Sequence, residues 1–222
     1  MANRYLSTSI GRKVLMALSA LFLLIFLLQH FTINMLSVVS PNAFNSASHF
    51  MGTFWLIQYI FQPILIFGVV FHFVMGFVLE MQNRNAREVG YAFNKPSANS
   101  TWMSRNMMWS GLTILAFLVL HFIDFWIPEM VHKYIEVHPE DPTRYYHELV
   151  AKFENPIRVG AYAVAFVLLA MHLLHGFQSA FQSIGLRHPK YLGTIRTLGR
   201  LYALIIPAGF IFIAVFHYVR SL

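Results

Sequence analysis

Cysteine is absent from these 222 residues, and charge is scarce: 16 Lys and Arg against 9 Asp and Glu, 11% of the chain. Without cysteine the chain can hold no disulfide, no thiolate metal site and no iron–sulfur cluster of its own. A water-soluble domain carries roughly a quarter of its residues as charges, so this chain lacks the means to cover a soluble surface. A glycine-rich dinucleotide fingerprint is also missing. What is present is apolar: 57% of residues are hydrophobic and the mean hydropathy is +0.57.

The apolar residues gather into five runs of bilayer-spanning length, at about 14–36, 54–80, 107–127, 156–184 and 201–218. They lack the alternation of a barrel strand, and only helices or closed barrels satisfy the backbone in lipid. The expectation is an all-α integral membrane protein, a bundle of five transmembrane helices forming a single membrane domain over residues 1–222. The first run follows Arg12 and Lys13 as a secretory signal would. It continues into "QHFTINML" with no cleavage site, so it reads as an uncleaved anchor.

Of the 16 basic residues, 11 fall at the N-terminus (Arg4, Arg12, Lys13), between the second and third runs (Arg84, Arg87, Lys95, Arg105) and between the fourth and fifth (Arg187, Lys190, Arg196, Arg200). Seven of the nine acids lie in the complementary segments. The positive-inside rule then predicts a cytoplasmic N-terminus, a periplasmic C-terminus and an exterior loop over 128–155. Topology accounts for the basic excess, so the expected partner is the lipid bilayer and not nucleic acid.

Eleven histidines are many for such a chain. His49, His132, His138, His147 and His188 fall in predicted loops, and His217 near the outer end of the last run; all six are expected to be solvated or interfacial. A zinc site among His132, His138 and His147 is an alternative, although their spacing matches no established metal-ligand pattern. His30, His72, His121, His172 and His175 lie inside apolar runs, at least one on each of the first four. Three readings compete for them. One is interhelical hydrogen bonding. Another is axial ligation of haem, which needs two imidazoles per iron and so finds two clamps on four helices. The last is a proton relay, for which only Glu80 and Asp124 lie near the runs.

Depth pairs the histidines. At about 1.5 Å per residue, His30 lies about 26 Å past Lys13 and His121 about 24 Å past Arg105, both toward the exterior. His72 lies about 18 Å before Arg84, and His172 and His175 about 22 and 18 Å before Arg187, nearer the cytoplasm. Gly68 and Gly76 flank His72 at four residues on either side, and Gly176 and Ala180 follow His172 at four and eight. Such small-residue stripes admit a neighbouring helix, or beside a buried histidine a planar ligand.

Three segments, "SIGRKVLMALSALFLLIFLLQH" with Asn34 four residues on, "FGVVFHFVMGFVLE" and "MHLLHGFQSAFQSIGLRHPKY", carry a family resemblance. Together with "LVLHFIDFW" they make the chain resemble, over nearly its whole length, the cytochrome b anchor subunit of succinate dehydrogenases and fumarate reductases. The branch is the single-chain, five-helix, dihaem type of Bacteroidetes-like bacteria. The resemblance implies two haem b groups in the bacterial inner membrane, with His30 and His121 ligating a distal haem and His72 and His172 a proximal one. The family's ligand aligns with the first histidine of an H-x-x-[HN]-G motif, which leaves His175 as a haem neighbour. Depth alone matches His175 to His72 slightly better and keeps it an alternative ligand.

The resemblance further implies a flavoprotein with FAD, an iron–sulfur subunit, and electron transfer to a membrane quinone, menaquinone by analogy; a higher oligomer of the complex is compatible with it. The loop "NRNAREVGYAFNKPSANSTWMSR" is a candidate dock for the iron–sulfur subunit. Arg12, Lys13 and Arg105 are candidate contacts for haem propionates. Asp124 and Asn34, near the distal histidines, are candidates for the quinone site. Some relatives carry an acid just before the fourth-run ligand, where this chain has Ala170 and Met171. The competing functions are the anchor of another quinone-linked dehydrogenase, of hydrogenase or formate dehydrogenase type, and a haem-free transporter.

Overall fold

The computed structural model describes residues 8–85, 106–186 and 188–222. Among them there is no strand, and five helices are long and apolar enough to cross a membrane. These are α1 (Ser9–Val39), α3 (a π turn at Ile57–Phe61 continuing as Gln62–Asn85), α4, α6 (Pro156–Ser183) and α7 (Pro189–Ser221). Helix α4 runs Met107–His121, passes through π turns at Phe122–Trp126 and Val131–Ile135, and has Ile127–Met130 between them. Two short helices, α2 (Pro41–Thr53) and α5 (Arg144–Phe153), lie outside the spans.

Three of the helices begin with a polar cap followed by proline. Ser40 Oγ accepts from the Ala43 N–H at 3.3 Å, Asn155 Oδ1 from Ile157 and Arg158 at 2.9 and 3.2 Å, and His188 Nδ1 from Lys190 at 3.2 Å. Each cap satisfies an orphan donor, and the proline after it has no donor to lose. Ser40 is extended and its N–H also closes on the Leu36 carbonyl, so one residue ends α1 and starts α2. Helix α6 stops at Gly185, whose φ of +91° suits glycine; its N–H bonds the Gln182 carbonyl, and Leu186 that of Phe181, as in a Schellman stop.

The helices form a ring in which α1 packs on α3 and α6, α4 packs on α6 and more lightly on α3, and α7 lies against α6 and α1. Helices α1 and α4 therefore face each other across one diagonal, and α3 and α6 across the other. Close approach of α7 depends on glycine: Phe177 sits on Gly199, and Phe31 occupies the space a side chain at Gly209 would need. The Tyr202 hydroxyl donates to the Leu24 carbonyl across the same seam at 2.6 Å. Outward-facing Ile25, Phe67, Ile157 and Val219 are mostly exposed, which suits a lipid surround and not water.

The core, with Tyr162, Phe166, Ile206, Phe210 and Ile213 at its centre, occupies the half of the bundle where α1 ends, and α2 and α5 cover it there with Phe44, Leu149 and Phe153. Asn45 joins the two short helices, donating to the Thr143 carbonyl at 3.0 Å and accepting from the Tyr146 N–H at 2.8 Å. Arg144 pairs with Glu129 and Glu148, while Lys133 pairs with Glu129 at 2.6 Å. Partial burial works to lower the Arg144 pKa, but hydrogen bonds to Glu148 and Glu129 outweigh it and hold the guanidinium above its ordinary range. These short helices fall where loops were expected, and each span but α6 extends beyond its apolar run. Apolar composition marks the hydrocarbon, whereas a helix continues through its polar flanks until a cap stops it.

Candidate functional site

Four of the five histidines of the apolar runs, His30, His72, His121 and His172, make contacts between helices of the ring, at two levels. At the level nearer the covered end, His30 of α1 and His121 of α4 meet across the diagonal, ring centres 5.8 Å apart and planes at 87°. Aromatic rings enclose them: Phe26 and Phe210 lie against His30, and Phe117, Phe125 and Tyr162 against His121. The His121 Nδ1 is buried without a hydrogen-bonding partner.

At the other level each histidine has a serine. Ser19 Oγ lies 3.1 Å from His72 Nδ1, and Ser110 Oγ 3.1 Å from His172 Nδ1. Each hydroxyl already donates within its own helix, to the Met16 carbonyl at 2.8 Å and the Met107 carbonyl at 2.9 Å. Its proton being committed, the serine oxygen can only accept from the ring, so Nδ1 carries the hydrogen and Nε2 keeps its lone pair. His172 lies within electrostatic range of both His72 and His175. His175 has no such serine among the described residues.

Ser19 precedes His30 by eleven residues on α1, and Ser110 precedes His121 by eleven on α4. Eleven residues are three turns plus about 20°, so serine and histidine share a stripe and the two levels are about 16 Å apart. Each of these helices thus offers a histidine at one level and a clamp at the other. Sequence reasoning passed over both serines; the signal it could have used was this repeated spacing.

No family model, curated protein or solved structure matches this chain.

Of the two readings of the glycine stripes, the structure shows close packing of side chains on them. Phe22 packs on Gly68, Met16 on Gly76 and Met107 on Gly176, so these positions admit side chains of neighbouring helices. Gly111 and Gly176 both lie beside His172: an added Cβ would be 3.8 Å from its Cε1 at the first and 4.0 Å from its Cδ2 at the second. His217 is likewise not interfacial. It is 1% exposed, its Nε2 2.9 Å from Ser37 Oγ and its ring against Tyr146, because α5 covers the end of α7.

Asp124 is 2% exposed on the π turn just past His121. Its Oδ2 accepts from the Tyr162 hydroxyl at 2.8 Å and the Arg158 Nε at 3.2 Å, both from α6, and its Oδ1 is buried without a partner. Asn34 bends back on its own helix, donating to the His30 carbonyl at 2.8 Å with its amide nitrogen 3.4 Å from His30 Nε2. Neither lines an open cleft of about 500 Å³ between α3 and α4, whose polar walls are Gln58, Gln62, Trp126 and Tyr134. Trp126 Nε1 is buried there unpartnered, and the Tyr134 hydroxyl donates to Gln58 at 2.9 Å. Arg12 is half-buried and Lys13 exposed in the first turns of α1. Arg105 and most of the candidate docking loop lie outside the described residues.

Proposed function

We propose that this chain is the dihaem cytochrome b anchor of a succinate:quinone oxidoreductase, passing electrons between a cytoplasmic flavoprotein and iron–sulfur pair and a quinone in the membrane. The observation that supports it is two levels of imidazoles on four helices, with the lower two fixed by serines in the tautomer that leaves Nε2 available. The fit to haem is tested by the His30–His121 contact. Their ring centres stand 5.8 Å apart, and these two imidazoles are the donor set that would hold one iron. The enclosing aromatic rings Phe26, Phe117, Phe125 and Phe210 also make the dry, apolar surroundings that suit a haem.

When bound, each haem supplies a one-electron iron couple whose potential follows its ligands and their hydrogen bonds. His30 with His121, and His72 with His172, are the four residues that would hold the two groups. Ser19 and Ser110 orient their rings and raise the basicity of Nε2. Phe26, Phe117, Phe125 and Phe210 exclude water at the other level. Arg12 and Lys13 stand at the end of the bundle assigned to the cytoplasm, where propionates and partner subunits would meet positive charge. The cleft between α3 and α4 offers the side-chain donors of Gln58, Gln62 and Trp126 to quinone carbonyls.

A pyridine haemochrome assay on the purified chain tests this reading. Two haems per chain are expected; His72→Ala and His172→Ala each remove one and the same haem, and His30→Ala and His121→Ala the other. A chain without haem sinks the proposal, and loss through His175→Ala of the haem that His172→Ala spares reverses the ligand assignment. Co-purification with a flavoprotein and succinate-dependent quinone reduction separate it from hydrogenase- and formate-dehydrogenase-type anchors.

A further inference from the structure

Outside the ring, at the covered end, His132, Glu136 and His138 come together where α4 runs out. One ligand atom from each lies within 4.8 Å of the others. The two imidazole centres are 4.9 Å apart, and His138 Nε2 is 3.1 Å from Glu136 Oε2. Glu136, and not His147 of α5, completes the group.

The backbone is bent to make this meeting. Val137 has φ +50°, a left-handed conformation that a β-branched residue adopts at a cost of about 1–3 kcal/mol. The turn returns the chain so that the His138 N–H bonds the His132 carbonyl at 3.1 Å, and His138 is laid over His132. The His132 Nε2 is buried, yet no hydrogen-bonding partner reaches it. An ion pair between His138 and Glu136, both about half exposed, contributes little in water and leaves that nitrogen unexplained.

We propose that His132, Glu136 and His138 bind a divalent transition-metal ion, zinc by preference, at the rim of the bundle. Two imidazoles and a carboxylate are the borderline donor set that suits zinc and not magnesium or calcium. Ligands about 2.0–2.2 Å from one ion lie about 3.4 Å apart; the His138–Glu136 pair stands at 3.1 Å, and all three ligand atoms lie within 4.8 Å of one another. Water takes the fourth position. The ion staples the end of α4 to the turn after it and gives the left-handed Val137 its purpose. The site is independent of the haem reading and stands or falls separately.

The untagged full-length chain, purified in detergent and stripped with a chelator, is titrated with Zn²⁺ by calorimetry, and retained zinc is counted after dialysis. One zinc per chain is expected. His138→Ala, at an exposed position, and His132→Gln each weaken binding by about tenfold or more, while His147→Ala leaves it unchanged. Zinc should also raise the thermal midpoint of the parent chain and not of His138→Ala. No saturable binding at one per chain, or binding that survives His132→Gln and His138→Ala combined, overturns the site.

Discussion

Ser19 and Ser110 each use one oxygen twice, donating to a carbonyl three residues back and accepting from an imidazole on the next helix. Alanine at either position removes the acceptor and leaves a buried Nδ1–H unpaired, while the ring itself stays. On the haem reading, Ser19→Ala or Ser110→Ala weakens retention of the haem held by His72 and His172 by about 10- to 100-fold and shifts its midpoint potential. The haem of His30 and His121 is unaffected. A redox titration followed optically checks this, and an identical shift in both haems would speak against two separate levels. The histidines were legible in sequence because an imidazole in an apolar run is conspicuous. The serines were not, since a hydroxyl there reads as ordinary helix packing, and its partner is 53 or 62 residues away. His217 failed for the opposite reason: its position near a helix end implied exposure, and only the cover of α5 buries it.

Among elements, the long helices announced themselves and the short ones did not. An apolar run of twenty residues has one physical meaning, whereas "PNAFNSASHFMGT" and "RYYHELVAKF" form helices because Ser40 caps the first at the end of α1, Asn45 ties the two together and the Glu129–Arg144 pair fastens the second to α4. The π turns at 57–61, 122–126 and 131–135 leave no periodic signature at all. They still decide where Asp124 and Trp126 point. Helix-to-helix fit turns on single glycines. Gly209→Ala puts a methyl where Phe31 lies and should cost about 1–3 kcal/mol by thermal unfolding in detergent. Gly193→Ala on the same helix meets nothing within 4 Å and should be neutral or stabilising by up to about 1 kcal/mol. Equal effects at the two positions would show that the α1–α7 seam is looser than described.

Across the whole molecule, five helices are long and apolar enough to cross a membrane, and on the proposed topology this odd number puts the two ends of the chain on opposite sides. The absence of cysteine makes that side assignment directly measurable. In intact cells an impermeant maleimide should label Ser221→Cys and leave Asn83→Cys untouched until the membrane is opened; the reverse pattern would invert the orientation drawn from the basic residues. The eleven-residue interval between Ser19 and His30, repeated between Ser110 and His121, also limits how this molecule can change. One residue inserted within either interval would rotate its histidine about 100° away from its serine, and three or four would nearly restore the angle but move it by about 5 Å. Helices α1 and α4 are keyed like the wards of a lock, each gauging the distance between the two levels. Lineages of this chain should therefore accept changes of length in the segments between spans and refuse them inside these two intervals.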